Sequence, residues 1–490
     1  MTATRPVTTR RRVEAQWLRW QARAEGPAAD RMLPWLIAAL LFVLWFGLAY
    51  ARARSLDGGA DLASGLQARW LIAHGQAADL TVTGNHLLAQ HFPLGFYGMV
   101  WVTQLLPPTS TLLGIQSLSL ALGVVPLWWI ARRLAALRVG AALAIVVAYA
   151  LSPTLNNLNL ADFHPAVVAV GPLLAATYAA LRERWVAFAL FSAFAVLWSA
   201  ELGLVIAGLG VLLIIRDERK AGVWAVVFGF GWTLLAVVLF EPRYGSTGFI
   251  APGAFAEYGS NAFSVGFGML VHPFRALGDL FAEGNVRLLV VLLAPLLFLP
   301  VLSPRALLPA IPLQALYLIA NEPDRSVEVG LPLTIFAFVA ATFALNRMGR
   351  KGVERVLVDR RVLIALVVAA LGFFATEASD SPYRHPWQWG RQDAVDMARR
   401  QAAHAVGKGV SVRAPEVVLP LVADRKKVYL FDAKDDAAAA VDGVDRVVVD
   451  DVYFQWTTTQ DTVFATAITA LEFQLIYRSQ GVAVYARVGT

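Results

Sequence analysis

Cysteine is absent from all 490 residues, which excludes disulfides, thiolate metal sites and cysteine nucleophiles and says nothing of redox compartment. Charge is scarce too: 16% of the residues are Asp, Glu, Lys or Arg, against about 25% in an average soluble domain. No G-x-G-x-x-G or P-loop follows a strand, so a nucleotide site has no support, and no H-E-x-x-H or paired-ligand spacing marks a metal centre. No cleavable signal peptide is evident either, because the first apolar run begins near Met32 behind a basic segment and is long enough to stay as a spanning helix. What is present is apolar. The chain is 58% hydrophobic with a mean hydropathy of +0.57, so lipid is the solvent for most of it. The net charge of +7 lies largely in short segments between apolar runs, which makes it a topology signal and not a nucleic-acid footprint.

A spanning helix needs about 20 apolar residues, and Met32 to Ala51 supplies them. Seven arginines, from Arg5 to Arg31, precede this run, so the positive-inside rule places the N-terminal segment 1–31 in the cytoplasm. The following loop, 52–108, is then external. Its apolar stretch Phe92 to Leu106 stops at Pro107-Pro108 and is too short to span, so it reads as a re-entrant or surface-lying helix. Further spans are expected over 109–131, 139–155, 165–181, 185–200, 202–216, 221–240, 286–303, 306–320, 330–346 and 362–376, making about eleven with the first. Basic clusters at Arg132 and Arg133, Arg182 and Arg184, Arg216 to Lys220, Arg305, and Arg347 to Arg361 then all fall inside. Counting 92–106 as a span would reverse them. The chain is thus expected to be an all-α polytopic protein of the cell membrane over 32–376, with external loops at 52–108 and 241–285.

Residues 377–490 differ in kind. An amphipathic stretch, DAVDMARRQAAHAVG, reads as helix, and strand-like runs follow at Gly409 to Val412, Lys427 to Phe431, Arg446 to Val449 and Val482 to Ala486. This pattern predicts a soluble α/β domain with a partly parallel sheet on the extracytoplasmic side.

Candidate chemistry gathers on the external side. Asp61 follows the first span, Asp162 and His164 sit in LNLADFHPAVV, and Glu201 lies between two apolar runs in LWSAELGL. An ionisable group there is expensive unless it faces a cavity or a partner. Asp61 and Asp162 read equally as loop or helix-cap residues, and Glu201 as the cap of a span. His91 lies in the same external loop as Asp61. Arg243 in EPRYG, Arg275 in HPFRALG and Arg325 in NEPDRSVE are cations in external segments able to hold a phosphate. A divalent cation (Mg or Mn) on Asp61, Asp162 and His164 is the alternative counter-charge.

Four stretches, DLASGLQARWLIAHG, HFPLGFYGMVWVTQLLPPTSTLLGIQSLSLALGVVPLWWIARRL, ADFHPAVVAVGPLLAATYAALRERW and SVRAPEVVLPLVADRKKVYLFD, make the chain resemble the bacterial predicted membrane proteins known as domain of unknown function 2079, which are related to GT-C glycosyltransferases. Two positions depart from that pattern: Ser199-Ala200-Glu201 replaces a Lys-Glu type cluster, and VEVGLPLT lacks a Tyr or His before a late span. The resemblance implies a GT-C architecture, a catalytic aspartate at Asp61, a sugar donor built on polyprenyl phosphate, and transfer to a glycan, lipid or protein acceptor on the outer face. His91, Asp162, His164, Glu201 and the three arginines are then the substrate-binding candidates. Intramembrane carboxylates also suit a transporter or flippase of lipid-linked or small substrates, and a non-catalytic scaffold presenting the C-terminal domain is a third class.

Overall fold

The computed structural model of the protein describes residues 25–89, 91–245, 254–320, 327–352, 355–384, 388–431 and 441–489. Six of the seven N-terminal arginines and His385 lie outside these residues.

The first expected span is the helix α1 (Pro27–Arg54). Its 28 residues rise about 42 Å at 1.5 Å each, enough to cross the roughly 30 Å hydrocarbon layer. Ala38, Leu41, Trp45 and Ala49 turn inward at helical spacing, whereas Leu36, Leu40 and Val43 are left for lipid. Among the described residues three more helices are long and apolar enough to cross: Pro108–Leu134, Arg219–Tyr244 and Glu328–Met348. Val139–Ala150 and Pro153–Leu160 form a further pair bent by 42°, at a proline that cannot donate to the preceding turn. Pro165–Leu181, Trp185–Val196 and Leu202–Ile215 are shorter apolar helices.

The run expected as one span over 286–303 is instead a helix, Glu283–Leu293, followed by 3-10 turns at Ala294–Leu296, Leu299–Leu302 and Pro304–Leu307. The expected span 306–320 shortens to Ile311–Ile319. Pro295, Pro300, Pro304 and Pro309 each remove a backbone donor within this stretch, and Leu297 and Phe298 take left-handed angles, so no continuous helix forms. By contrast Leu202–Ile215 and Arg219–Leu235 pack closely, because a Cβ at Gly203 or Gly210 would collide with the backbone of Gly229 or Gly222. Small residues permit such approach where lipid tails give no hydrophobic drive to association.

The expected amphipathic helix is Ala394–Val406, closed by a capping box between Asp393 and Asp396. Beyond it run β1 (Val412–Ala414), β2 (Val428–Leu430), β3 (Arg446–Asp450), β4 (Phe473–Ser479) and β5 (Val482–Arg487). They form one sheet in the order β2-β1-β3-β5-β4. β1 is parallel to β2 and β3, and β5 is antiparallel to β3 and β4. Strand β4 escaped the sequence reading. The sheet is docked on the loop after α1: the Thr81 hydroxyl donates to the Val428 carbonyl at 2.6 Å and accepts the Val428 amide at 2.9 Å. The Gln67 amide donates to the Lys426 carbonyl at 3.1 Å.

Candidate active site

After α1 the chain turns through Gly58-Gly59 into α2 (Ala60–Ala73), whose second residue is Asp61. The helix has no side chain of its own capping its N-terminus. Two remote carboxylates do that work. Asp162 accepts the Gly59 amide at 2.8 Å, and Glu416, just beyond β1, accepts the Ala60 amide at 3.3 Å. A Cβ at Gly59 would collide with the Glu416 carboxylate and come within 3.1 Å of Asp162 Oδ2, so a larger residue there would push Glu416 off the helix end. The positive end of the helix favours both anions.

The loop that carries Asp162 is pinned from inside the helical bundle. Gln116, buried in Pro108–Leu122, donates to the carbonyls of Leu158 at 3.0 Å and Asp162 at 2.8 Å, and its Oε1 accepts the His164 amide at 2.7 Å. Asp162 itself adopts φ +149, unusual outside glycine and tolerated because these bonds over-determine the loop. Burial, reinforced by the charge of Asp61, pushes the Asp162 carboxyl up to about 7.

His164 Nδ1 lies 3.3 Å from Glu328 Oε1 and 3.9 Å from Asp61 Oδ2. Opposite, His91 Nδ1 is bonded to the Glu201 carboxylate, which also accepts the Ser199 hydroxyl and sits 3.4 Å from the Tyr317 hydroxyl. Burial works against charge on both imidazoles, yet the carboxylate bonded to each outweighs it and holds both histidines well above their usual value. With Asp61, Glu328, Phe96, Phe163 and Trp198 they line a cavity of about 190 Å³. Asp61 is 61% exposed, whereas Glu201 is 1% exposed. His164 Nε2 and Trp198 Nε1 are buried with no partner, and buried polar atoms of this kind are rare unless a ligand or water completes them.

Asp61, His91 and His164 thus meet at one cavity, Asp162 stands behind Asp61, and Glu201 stands behind His91. The arginines do not join them. Arg275 pairs with Glu257 and lies 5.8 Å over the Tyr258 ring, and Arg243 is an exposed residue of the turn Glu241–Tyr244; neither lines the cavity. Arg325 lies outside the described residues. Among the described residues no three acidic or histidine side chains converge to hold a metal ion, and Asp162 spends both oxygens on the Gly59 amide. Sequence reasoning missed Glu328 and Glu416. Glu328 carried a signal, a carboxylate at the mouth of an apolar run; Glu416 had none, since only the fold brings it to α2.

The sequence from residue 52 to residue 482 matches the profile of a family described as predicted membrane protein (DUF2079). The structure is similar to a crystal structure of ArnT from Cupriavidus metallidurans bound to undecaprenyl phosphate, with a TM-score of 0.55 and 14% identity over 95% of this chain and 99% of that one. It is also similar to ArnT from the same organism in the apo state, with a TM-score of 0.54 and 15% identity over 94% and 99% of the two chains. A comparison with curated proteins finds no match. At such identity the likeness is one of fold.

Proposed function

We propose, for a chain that belongs to the DUF2079 family of predicted membrane proteins and shares its fold with ArnT, that it is a GT-C type membrane glycosyltransferase using a sugar donor carried on polyprenyl phosphate. The observation that carries this reading is the meeting in one cavity of an exposed carboxylate, Asp61, with two histidines, His91 and His164, each bonded to a buried glutamate.

An acceptor hydroxyl is a poor nucleophile. Asp61 takes its proton as the oxygen attacks the anomeric carbon, a role worth about 10²–10⁴-fold. The bond between the anomeric carbon and the phosphate oxygen breaks, and the lipid phosphate departs with the electron pair. His91 and His164 supply the positive charge that this leaving group requires, with His164 Nε2 as a ready donor. They take the part that sequence reasoning gave to Arg243, Arg275 and Arg325. The cavity lies on the outer face in this reading, with about eleven crossings of the membrane, and the region from about 380 onward closes over its mouth through Glu416 to serve acceptor binding or partner docking.

The test is detection of a polyprenyl phosphate in the purified protein by mass spectrometry, followed by sugar transfer from a polyprenyl-phosphate donor. Co-purification with transfer supports the enzyme. A chain that moves the lipid-linked sugar across vesicles without transferring it is a flippase, and the proposal fails.

A further inference from the structure

A second cavity, of about 180 Å³, opens where three helices end: Pro165–Leu181, Leu202–Ile215 and Glu328–Met348. Its rim carries Arg216, Arg305 and Arg347, contributed by three different segments, and its floor is apolar, with Ile215 and Phe343. Among the described residues no carboxylate lines it. The nearest acid in sequence, Asp217, is exposed and is paired with Arg219 at 4.0 Å. Arg347 donates to the Leu302 carbonyl at 2.7 Å, which fixes one guanidinium at the rim.

The plain alternative is that each arginine merely answers the negative end of a helix. Charge decides against this as the whole account. Three helix C-termini carry about −0.5 each, roughly −1.5 together, against three guanidinium charges. About half of the positive charge is left without a counterpart, beside an apolar floor and at the end of three apolar helices. A small free anion has no use for that floor. A phosphodiester headgroup with the start of its acyl chains uses both features.

We propose that this cavity binds the phosphate of an anionic phospholipid, the three arginines holding the headgroup while Ile215 and Phe343 receive the glycerol and first methylenes. Basic pockets between spanning helices recognise headgroups in this way. The site is separate from the Asp61 cavity and does not depend on the reaction proposed there.

The test is native mass spectrometry of the full-length protein in detergent, titrated with phosphatidylglycerol or phosphatidylcholine, with inorganic phosphate as a competitor. The wild type should prefer phosphatidylglycerol. Replacing Arg216, Arg305 and Arg347 by glutamine should weaken that binding about five-fold per arginine, the effect of roughly 1 kcal/mol for one basic side chain at an anionic membrane surface. The single variant Arg305→Gln, at an exposed side chain, gives the same reading if the triple variant does not fold. Arg360→Gln with Arg361→Gln, on exposed basic residues outside the cavity, should change little. Equal loss in that control, no preference in the wild type, or unchanged binding after the cavity variants overturns the proposal. Displacement of the lipid by millimolar inorganic phosphate overturns the lipid as ligand.

Discussion

Glu416 accepts the amide of Ala60 at 3.3 Å across 356 positions of sequence, so the sheet region and the helix that carries Asp61 share one hydrogen bond at that helix's first turn. Removing a cap of this kind costs about 0.5–2 kcal/mol of local helix stability. If Glu416 steadies Asp61, Glu416→Ala should lower turnover about ten-fold with little change in KM, and Glu416→Gln, which keeps an acceptor oxygen, should restore most of it. Steady-state kinetics of the two variants checks this. Equal rates for alanine and wild type would separate the sheet region from the chemistry.

How far the sequence alone reaches can be judged at particular residues. The spans with unbroken apolar runs were legible, as α1 is, because composition and length set them directly. The 286–320 stretch was not, because hydropathy is blind to the backbone donors that five prolines remove. Strand β4 was missed although its hairpin turn is written in the chain. Gln480 and Gly481 both have positive φ, and an X-Gly pair between β-forming runs is the signal for such a turn. In the site, Asp61, Asp162, His164 and Glu201 were visible as polar residues at the ends of apolar runs. Their pairing was not, since His91 with Glu201 and His164 with Glu328 are contacts between segments far apart in sequence.

The His91–Glu201 pair yields a stability test. Glu201 is 1% exposed and His91 43% exposed, so removing His91 leaves a buried carboxylate uncompensated, at a cost of up to about 3–5 kcal/mol. His91→Ala should therefore lower the thermal midpoint more than Glu201→Gln does, and the double variant His91→Ala/Glu201→Gln should recover part of the loss. Strict additivity in thermal unfolding of the three variants would show that the two groups do not act as a pair.

Asp162 predicts a pH dependence. Its carboxyl is held up at about 7 in the folded protein by burial first and by the Asp61 charge second, with the Gly59 amide, His164 and Arg52 acting the other way, whereas an unfolded aspartate titrates at about 3.9. Between these values the folded chain binds the extra proton, so stability from this group is complete below about pH 4 and is lost as pH rises to about 7. Asp162→Asn keeps an acceptor for Gly59 and removes the titration. Its thermal midpoint relative to wild type should rise between pH 4.5 and pH 7.5; a difference that does not vary with pH rejects the assignment.

Topology gives a fourth expectation. By the positive-inside rule the basic residues from Arg347 to Arg361 are expected in the cytoplasm, and the eleven crossings proposed above would carry Thr490 outside. A tag after Thr490 should be labelled in intact cells, and one at Gly352 only after permeabilisation. A C-terminal tag that stays protected breaks the eleven-span account.

The sharpest expectation concerns Asp61 against its neighbour Asp57. Asp57 is committed elsewhere: its Oδ2 accepts from Arg52 Nε at 2.9 Å, a partly exposed pair of the kind worth about 0–1 kcal/mol. Asp61 has no such commitment. Among the described residues its ion-pair partner is His164, at 3.9 Å, and it stands at the start of a helix held by Asp162 and Glu416. Asp61→Asn keeps size and polarity but cannot take a proton, so folding and donor binding should persist while transfer falls about 10²–10⁴-fold. Asp57→Asn should lose less than about five-fold, the rate equivalent of that ion pair. Single-turnover transfer from a polyprenyl-phosphate donor separates chemistry from product release, and it should show the loss in the chemical step with unchanged donor affinity. Near-normal transfer by Asp61→Asn removes the base role from this residue and leaves Asp162, whose carboxyl stands directly behind it, as the group to replace next.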